Sequence, residues 1–464
     1  MTGMPDLSAP AAGAHPPLGA RVGAALLALL AAACGGTDAR PSITGFSEAQ
    51  VRRVLRMSPL PLTPADPTNA VADDPRAVAL GERLFRDPRL SRDGDASCAS
   101  CHDLALGLGD GLARGRGEVP LARHTSSLWN LAGQRWFFWD GRADSLWAQA
   151  CGVLESPLEM ATTRTDLLHL VAGDPTLRAP FEALFGALPA ELEAERFPRA
   201  ARPVPPHDPA LVDAAEHARE ATGHQHLSAD GGFIHPHQRA WDRMAAEDQE
   251  VATAALVGVA KALAAYERTL RSETAPLDRF VEAVRAGDPS GGGALPEGAV
   301  RGLALFTGEA RCHLCHSGPL LSDLEFHDLG LEPAPGFEDD AGRHEGLDLL
   351  RVAEFRGDGA WSDDPEAGAA RLAHLPDHGH GQREFRTPSL REVATHPPYM
   401  HTGALASLEE VVAFYSRGVG RRERPVPAER VIEPLHLTPE QEADLVLFLR
   451  CLTSSAAPPT LSAR

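Results

Sequence analysis

The stretch Cys98-Ala99-Ser100-Cys101-His102 decides how this chain folds, together with a second copy of its pattern, Cys312-His313-Leu314-Cys315-His316. In a Cys-x-x-Cys-His pentapeptide the two thiols lie on one turn of helix, where each can add to a vinyl group of haem. The histidine that follows the second cysteine then reaches the iron beneath the ring. The two motifs therefore predict two covalently bound c-type haems, with His102 and His316 as ligands of the two irons.

Two other uses of a Cys-x-x-Cys pair fit these motifs less well. A zinc site needs a second pair within about 12–20 residues, whereas the two motifs stand more than 200 residues apart. A thioredoxin-like redox motif belongs in a strand–helix–strand context, which the surrounding sequence does not show. Both motifs fit haem attachment better than either of these two uses.

Length and charge limit the classes of protein to which the chain can belong. At 464 residues it is long enough for two or three domains. Its 44 Lys and Arg residues against 64 Asp and Glu residues give a formal net charge of −20. Such an acidic chain is not expected to bind nucleic acid. An acidic surface suits instead a basic or dipolar electron-donor protein.

The beginning of the chain has the pattern of an export signal. An apolar run at residues 22–33 follows Arg21 and ends in Ala31-Ala32-Ala33-Cys34-Gly35. About a dozen apolar residues are too few for a permanent membrane helix. We therefore predict a signal peptide at 1–34 and a periplasmic protein. Ordinary cleavage would discard Cys34, whereas lipoprotein processing would make Cys34 the site of a lipid anchor.

The rest of the chain reads as two haem domains in tandem, and its signals are almost all helical. Asp74-Pro75 predicts a helix over 75–85 that leads into the first motif, and residues 295–306 lead as a helix into the second. The predicted class is mainly α, with two tandem c-type cytochrome domains. The predicted limits are a linker with a short helix at 35–74, an N-terminal haem domain at 75–250 with an insertion at about 198–240, a C-terminal haem domain at 251–453 with an insertion at about 333–382, and a tail at 454–464.

Capping signals and apolar periodicity predict four more helices. A helix over 47–57 begins at Ser47, and apolar spacing predicts a long helix over 248–271. Ser407-Leu408-Glu409-Glu410 has the pattern of a capping box and begins a helix that ends at Gly418. Thr438 caps the last helix, predicted to end at residue 452.

Four blocks of sequence, in this order along the chain, resemble the bacterial dihaem cytochrome c peroxidase family. They are Leu80-Gly81-Glu82-Arg83-Leu84-Phe85, Phe138-Trp139-Asp140-Gly141-Arg142-Ala143, Phe385-Arg386-Thr387-Pro388-Ser389-Leu390-Arg391 and Pro398-Tyr399-Met400-His401-Thr402-Gly403. The resemblance covers residues 75–453 apart from the two insertions. The family includes true peroxidases and MauG-type enzymes, which oxidise a partner protein.

The resemblance implies a role for individual residues. It makes the N-terminal haem the peroxidatic one and matches Gln149 and Glu159 to the family's distal acid–base pair. Cleavage of peroxide requires a group that takes a proton from one oxygen and delivers it to the other. Trp139 matches the aromatic residue between the haems. Without the resemblance, Glu159 would read as a surface carboxylate and Trp139 as a packed aromatic residue.

Three departures from the family pattern concern the metal ligands. Many relatives carry a distal His on the first haem, where this chain has Glu118, so we expect that haem to be open to peroxide. His124 stands where the family has a calcium-binding Asn, and His396 replaces a Thr that offers its carbonyl to the same ion, which leaves calcium binding open. Tyr415 aligns with the sixth ligand of the second haem, where many relatives have Met; Met400 is the alternative ligand.

The remaining cysteines and histidines carry no assigned role. Cys151 and Cys451 either pair in an oxidising compartment or stay free. Three short histidine-rich stretches in the insertions read as solvated loops. They are His224-Gln225-His226, His235-Pro236-His237 and His378-Gly379-His380.

The leading functional hypothesis is an exported peroxidase. It would reduce hydrogen peroxide to water with electrons from a small cytochrome c or cupredoxin, which enter at the C-terminal haem. The first alternative is a MauG-like oxidase that modifies residues of a partner protein. The second is a dihaem electron carrier without enzymatic activity, against which Gln149 and Glu159 argue because a carrier needs no distal acid. A homodimer is compatible with all three.

Overall fold

Helices carry almost all of the regular structure, as the sequence predicts. The computed structural model describes residues 41–204, 235–332, 336, 340–376, 379–418 and 433–454. The predicted signal peptide with Cys34, the histidines at 224 and 226, His378 and the tail beyond residue 454 lie outside the described residues. Within them are fourteen α-helices: α1 Glu48–Arg56, α2 Pro75–Phe85, α3 Cys98–Cys101, α4 Leu146–Glu155, α5 Arg164–Gly173, α6 Pro175–Phe185, α7 Pro236–Asp242, α8 Ala246–Glu267, α9 Pro276–Arg285, α10 Glu297–Thr307, α11 Arg343–Val352, α12 Pro365–Leu372, α13 Leu408–Arg417 and α14 Pro439–Arg450.

Short elements fill the connections between these helices. The described residues hold one antiparallel ladder, in which β1 Phe326–His327 pairs with β2 Phe385–Arg386. Six 3₁₀ turns occur at Pro88–Leu90, Leu104–Leu106, Leu131–Gly133, Gly291–Gly293, Cys312–Leu314 and Val393–Thr395. The mainly α class is confirmed.

The helix ends follow the capping signals closely, with one exception. Ser47 and Thr438 each form a capping box, with Gln50 and Gln441 respectively. The box predicted at Ser407 is wrong: Ser407 accepts from the Glu410 amide, but the Glu410 carboxylate accepts from the amide of Ala406 at 2.7 Å. The carboxylate reaches one residue beyond the N-cap, so it satisfies a different backbone donor.

The described hydrophobic residues form two cores, and both cores use the same crossing of helices. In the first, α2 crosses α8 at Gly81, where an added Cβ would lie 1.9 Å from the carbonyl oxygen of Ala262. In the second, α10 crosses α14 at Gly302, where an added Cβ would lie 2.1 Å from the carbonyl oxygen of Asp444. Only glycine allows backbones to approach so closely. Because α2 and α10 each precede a Cys-x-x-Cys-His motif, the two cores repeat one architecture.

The longest helix, α8, is buried along most of its length and organises the first core. It packs against α2, α4 and α5. The domain boundary drawn at residue 250 falls inside this helix, whose observed bounds are Ala246–Glu267 rather than 248–271. No helix in the described part of the chain combines the length and apolar character needed to cross a bilayer.

The segment predicted as an insertion at 333–382 carries α11 and α12 and is tied to the first core. Its Asp363 accepts a salt bridge from Lys261 at 2.8 Å, and its Glu354 binds Arg164 at 2.6 Å. Lys261 is 5% exposed, and its ammonium lies 5.5 Å from the centre of the Trp147 ring. This segment therefore completes the first core although it lies within the predicted C-terminal domain.

Helix α1 precedes the first core in sequence but packs into the second. Arg391 is 1% exposed and connects the end of α1 to α9. Its guanidinium donates to the Met57 carbonyl at 2.6 Å and to the Asp278 carboxylate at 2.7 Å. From Ser42 onward the described residues belong to one compact unit with two cores. The domain limits drawn from the sequence stay a prediction.

Candidate haem sites and active site

The first motif presents a histidine whose ring is oriented for a metal. Cys98–Cys101 forms a single helical turn, and His102 follows as its C-cap. The His102 Nδ1 lies 2.9 Å from the carbonyl oxygen of Leu108. Because a carbonyl only accepts, Nδ1 carries the proton and the lone pair remains on Nε2. A metal-binding histidine typically has this arrangement.

The second motif repeats the arrangement. His316 Nδ1 lies 2.9 Å from the carbonyl oxygen of Leu321. Burial lowers the pKa of both His102 and His316, which favours the neutral imidazole that metal ligation requires. Both motifs thus offer Nε2 of a neutral histidine beside two thiols.

All the cysteines in the described residues are free. Burial raises the pKa of Cys98, Cys101 and Cys312, so these thiols stay protonated at neutral pH. Cys151 is buried in the first core and Cys451 packs against the second. Cys151 and Cys451 are therefore unpaired in the structure, which is one of the two alternatives that the sequence left open.

Glu159 lies in the turn that follows α4 and is half-buried. The surrounding protein raises its pKa by desolvation, while the charge of Arg142 and the hydroxyl of Ser156 act to lower it. Burial is the main cause of the raised pKa of Cys101, and the charge of Glu159 adds a smaller effect in the same direction. Gln149 is half-buried on α4, and within the described residues its side chain makes no hydrogen bond to Glu159.

Trp139 joins the first half of the chain to the second. Its indole N–H donates to the carbonyl oxygen of His124 at 2.8 Å, and its own carbonyl accepts from the Arg386 amide at 2.9 Å. The edge of the ring meets the ring of His401, with 6.3 Å between the ring centres. A position of Trp139 between the two haems and a role in electron transfer both stay predictions.

A cluster of buried charges lies beside Trp139 that the sequence analysis left without a role. Arg123 binds Asp140 at 2.5 Å and Asp340 at 2.8 Å, and Arg142 binds Asp140 at 2.9 Å. Although burial opposes ionisation, Arg142 and Arg123 hold the pKa of Asp140 at about 2. The guanidinium of Arg142 also covers the ring of Phe138, 3.5 Å from its centre. This cluster fixes Arg142, whose charge acts to lower the pKa of Glu159.

The loop after the first motif has no histidine at the position where many relatives have a ligand. Glu118 stands there, exposed and bound to Arg92 at 2.6 Å. His124 is buried instead, with its Nδ1 2.8 Å from the Leu112 carbonyl oxygen. Its Nε2 is buried and has no hydrogen-bond partner among the described residues.

One acidic residue beside the first motif escaped the sequence analysis. Glu267 ends α8 and is 6% exposed, and its Oε2 finds no hydrogen-bond partner in the described part of the chain. Its charge acts on the thiol of Cys98. Burial raises the pKa of Glu267 to about 8. The apolar periodicity of this helix predicts that Tyr266 is buried. No local sequence signal predicts the burial of its neighbour Glu267.

Tyr415 lies next to the second motif. Leu408, Val412 and Ser416 on the same helix, α13, are buried, and Tyr415 is half-buried. Burial, followed by the charges of Cys312 and Cys315, raises the pKa of the phenol. Met400 is half-buried in a left-handed turn with φ 72°. The choice between Tyr415 and Met400 as the sixth ligand stays a prediction.

Two Cys-x-x-Cys-His motifs, two histidines with free Nε2 lone pairs and a half-buried carboxyl group near the first motif are typical of a dihaem oxidoreductase. A family model described as di-haem cytochrome c peroxidase matches residues 75–203. The methylamine utilization protein MauG of Methylorubrum extorquens is 33% identical over 449 residues, which cover 94% of this chain and 96% of that protein. The cytochrome-c peroxidase IdrP1 of Denitromonas iodatirespirans is 33% identical over 409 residues, 85% of this chain and 86% of its own length.

Two solved structures share the fold at lower identity. A MauG-like protein associated with microbial copper homeostasis is 22% identical with a TM-score of 0.55, over 86% of this chain and 96% of that chain. The diheme peroxidase BthA of Burkholderia thailandensis is also 22% identical with a TM-score of 0.55, over 84% of this chain and 89% of its own. The chain belongs to the di-haem cytochrome c peroxidase family. It is therefore an oxidoreductase with two haem cofactors, and the residues of both motifs fit them.

Proposed function

We propose that this protein is a peroxidase that reduces hydrogen peroxide to water with electrons from a small redox protein such as cytochrome c or a cupredoxin. The position of Glu159 carries the proposal. Its half-buried carboxyl group lies close enough to the first motif for its charge to act on Cys101, and desolvation raises its pKa, which suits a group that takes and returns a proton. A simple electron carrier has no use for such a group.

Haem bound at His102 supplies the redox chemistry, with two electrons and two protons converting one peroxide into two waters. Glu159 would take a proton from one oxygen of the peroxide and deliver it to the other oxygen, which departs as water. The positive charge of Arg142 stabilises the Glu159 carboxylate before the first transfer and after the second. Gln149, on the helix before Glu159, offers an amide that can hold the peroxide in line.

Electron entry at the second haem agrees with the surface around the second motif. Leu314, between the two cysteines, is 49% exposed. It borders an open groove that is also lined by Arg53, Arg311 and Glu309. An exposed apolar residue within a charged rim is typical of a transient docking site for a redox partner.

Covalent attachment and export are parts of the same proposal. The four motif cysteines are free and lie in two short helical turns, which supports thioether bonds to both haems. Because c-type haem is attached outside the cytoplasm, the protein would be exported to the periplasm. The sequence leaves two alternatives for Cys34, which ordinary cleavage would discard and lipoprotein processing would lipidate. A homodimer is a further expectation from the sequence.

A MauG-like oxidase is the second candidate, and Tyr415 favours it. A tyrosine beside the second motif could bind the second iron as a phenolate, which stabilises higher oxidation states of iron, whereas a methionine thioether raises the potential. The second haem could then hold an oxidising equivalent for use on a partner protein. MauG of Methylorubrum extorquens, one of the relatives named above, is consistent with this candidate.

The experiment measures the oxidation of reduced cytochrome c by the haem-loaded protein after addition of hydrogen peroxide. We expect Glu159→Gln to keep both haems and to lose about 100- to 10,000-fold in rate. Glu118→Gln is the matched control, because Glu118 is bound to Arg92 near the surface, and it should retain the wild-type rate. If Glu159→Gln stays within a few-fold of wild type, Glu159 is not the acid–base group. A wild-type protein that reacts with peroxide but oxidises no cytochrome would favour the MauG-like candidate.

A further inference from the structure

The two residues adjacent to Glu159 are held by the two segments that flank the first motif. The Leu158 carbonyl accepts from the amide of Glu118 at 2.9 Å, and the Met160 carbonyl accepts from the amide of Arg92 at 2.9 Å. Arg92 precedes the motif by six residues, and Glu118 follows its histidine by sixteen. The turn that carries Glu159 is therefore attached to the chain on both sides of the motif.

The closest approach in this arrangement occurs at Gly117. An added Cβ there would lie 2.2 Å from the Leu158 carbonyl oxygen and 2.9 Å from the end of the Leu121 side chain. The Leu121 side chain can rotate away, whereas a backbone carbonyl moves only with its turn. Because nonbonded atoms ordinarily stay about 3.5 Å apart, a side chain at position 117 would displace the Leu158 carbonyl by about 1 Å. The φ of Gly117 is not positive, so this approach alone requires glycine.

The loop that carries Gly117 is braced from inside, so it cannot easily yield to such a clash. Asp110 is 9% exposed, and both of its carboxylate oxygens accept hydrogen bonds. One oxygen accepts from the Leu112 amide at 3.0 Å. The other accepts from the Arg116 amide at 2.9 Å and from the Thr125 hydroxyl at 2.8 Å. The displacement would therefore fall on the turn that contains Glu159.

Hydrogen bonds to the end of α4 hold that turn together as one unit. The Ser156 carbonyl accepts from the Glu159 amide at 3.1 Å and from the Ala161 amide at 2.8 Å. A shift of the Leu158 carbonyl consequently shifts Glu159 as well. An acid–base group must stand within hydrogen-bond reach of the atoms that it serves. A misplacement of about 1 Å can cost about 100-fold in rate.

We propose that Gly117 is a positioning residue for the reaction with peroxide, because it lets the loop after the first motif pack on the Leu158 carbonyl and so sets where the Glu159 carboxyl group stands. The inference rests on the acid–base role proposed for Glu159 above. The side chains of Arg92 and Glu118 also pair, but both are exposed and such pairs contribute little. The backbone amides carry the arrangement, and Glu118→Gln leaves them in place.

The test compares the haem-loaded wild type with Gly117→Ala, Glu159→Gln and the double variant. Stopped-flow spectroscopy measures the rate of the first reaction with hydrogen peroxide. We expect Gly117→Ala to lose about 100-fold in this rate. In the Glu159→Gln background the same substitution should cost less than about 3-fold, because no carboxyl group is left to misplace. Gly173→Ala, at the end of α5, is the control, because an added Cβ there has no neighbour within 4 Å.

Amide hydrogen exchange, followed by mass spectrometry, provides a second measurement on the same proteins. In wild type the amides of Arg92 and Glu118 should be protected, since both donate to carbonyls of the Glu159 turn. Gly117→Ala should speed the exchange of the Glu118 amide, whereas Glu159→Gln should leave it unchanged. If Gly117→Ala does not retain its haems, the wild-type exchange decides, and two amides that exchange as fast as an unstructured peptide would overturn the inference.

Two kinetic results would overturn the inference while leaving the proposed function intact. The first is a wild-type rate in Gly117→Ala beside a slow Glu159→Gln. The second is an equal loss from Gly117→Ala in both backgrounds, which would show a general disturbance rather than the positioning of one carboxyl group. A wild-type rate in Glu159→Gln would instead remove the acid–base role of Glu159, and the inference would fall with it.

Discussion

The indole N–H of Trp139 donates to the backbone carbonyl of His124 at 2.8 Å, while the edge of the same ring meets His401. The hydrogen bond fixes the plane of the indole, and the two contacts hold it between segments that are more than 250 residues apart in sequence. The predicted electron relay through Trp139 would therefore use the single ring orientation that this bond sets.

Replacing Trp139 by Phe should keep the aromatic ring and remove this bond. We expect Trp139→Phe to lose about 1 kcal/mol of unfolding free energy and to slow the delivery of electrons to the first haem. Stopped-flow spectroscopy should show an unchanged first reaction with peroxide and a slower oxidation of cytochrome c. Trp361→Phe, at a residue that packs against the first core, is the control. Equal effects of both substitutions would point to packing alone.

The first haem should react with peroxide in the fully oxidised protein. The residue at the usual position of a distal histidine is Glu118, which is bound to Arg92, so no ligand in that position has to leave. Mixing oxidised protein with one equivalent of peroxide should give an immediate spectral change without prior reduction. A reaction that appears only after half-reduction would mean that another residue blocks the iron.

Tyr415 and Met400 can be separated by two substitutions. If the phenolate binds the second iron, Tyr415→Phe should change the spectrum of that haem and raise its reduction potential. Met400→Leu should then leave both unchanged. The measurement is spectroelectrochemistry of each variant beside wild type. The reverse result would assign Met400 as the ligand and favour the ordinary peroxidase.

Glu267 should make the stability of the protein depend on pH. Its pKa is about 8 in the folded state and 4.5 in its ordinary environment. Between these values the folded protein keeps a proton that the unfolded chain has released, so the free energy of unfolding falls as the pH rises from about 5 to 8. Thermal unfolding of Glu267→Gln at pH 5, 6.5 and 8 should show a shallower decline than wild type. Parallel curves would show that Glu267 does not titrate in this range.

Arg391 should be among the most sensitive positions for stability. Its substitution by Met would leave the Asp278 carboxylate without the partner that holds its pKa low despite burial. Breaking such a buried pair typically costs about 3–5 kcal/mol. Denaturant unfolding should show this loss, whereas Arg52→Met, in an exposed pair with Glu48, should change stability by less than about 1 kcal/mol. If Arg391→Met behaves like Arg52→Met, water replaces the lost partner.

The sequence predicted what depends on local pattern. The helix starts at Ser47, Asp74 and Thr438 agree with the structure because a cap is decided by residues within one turn. The long helix was placed within a few residues at either end. The orientation of His102 follows from the motif and the carbonyl six residues beyond it.

What the sequence analysis missed depends on contacts between distant residues. Residues 333–382 read as an insertion because they are acidic and rich in glycine, yet Asp363 and Glu354 bind side chains of the first core. Glu267 and the free lone pair of His124 became visible only once burial was known. A carboxyl group or an imidazole has the same sequence signature whether it is solvated or enclosed.

Lys261 is the only lysine of the chain, and its ammonium is enclosed by Asp363 and Trp147. A reagent that acylates amines will therefore reach a lysine side chain only when α8 separates from the segment that carries Asp363. The rate at which acyl label accumulates on Lys261, followed by mass spectrometry, then measures how often the first core opens. The chain thus carries one built-in chemical reporter of its own local unfolding.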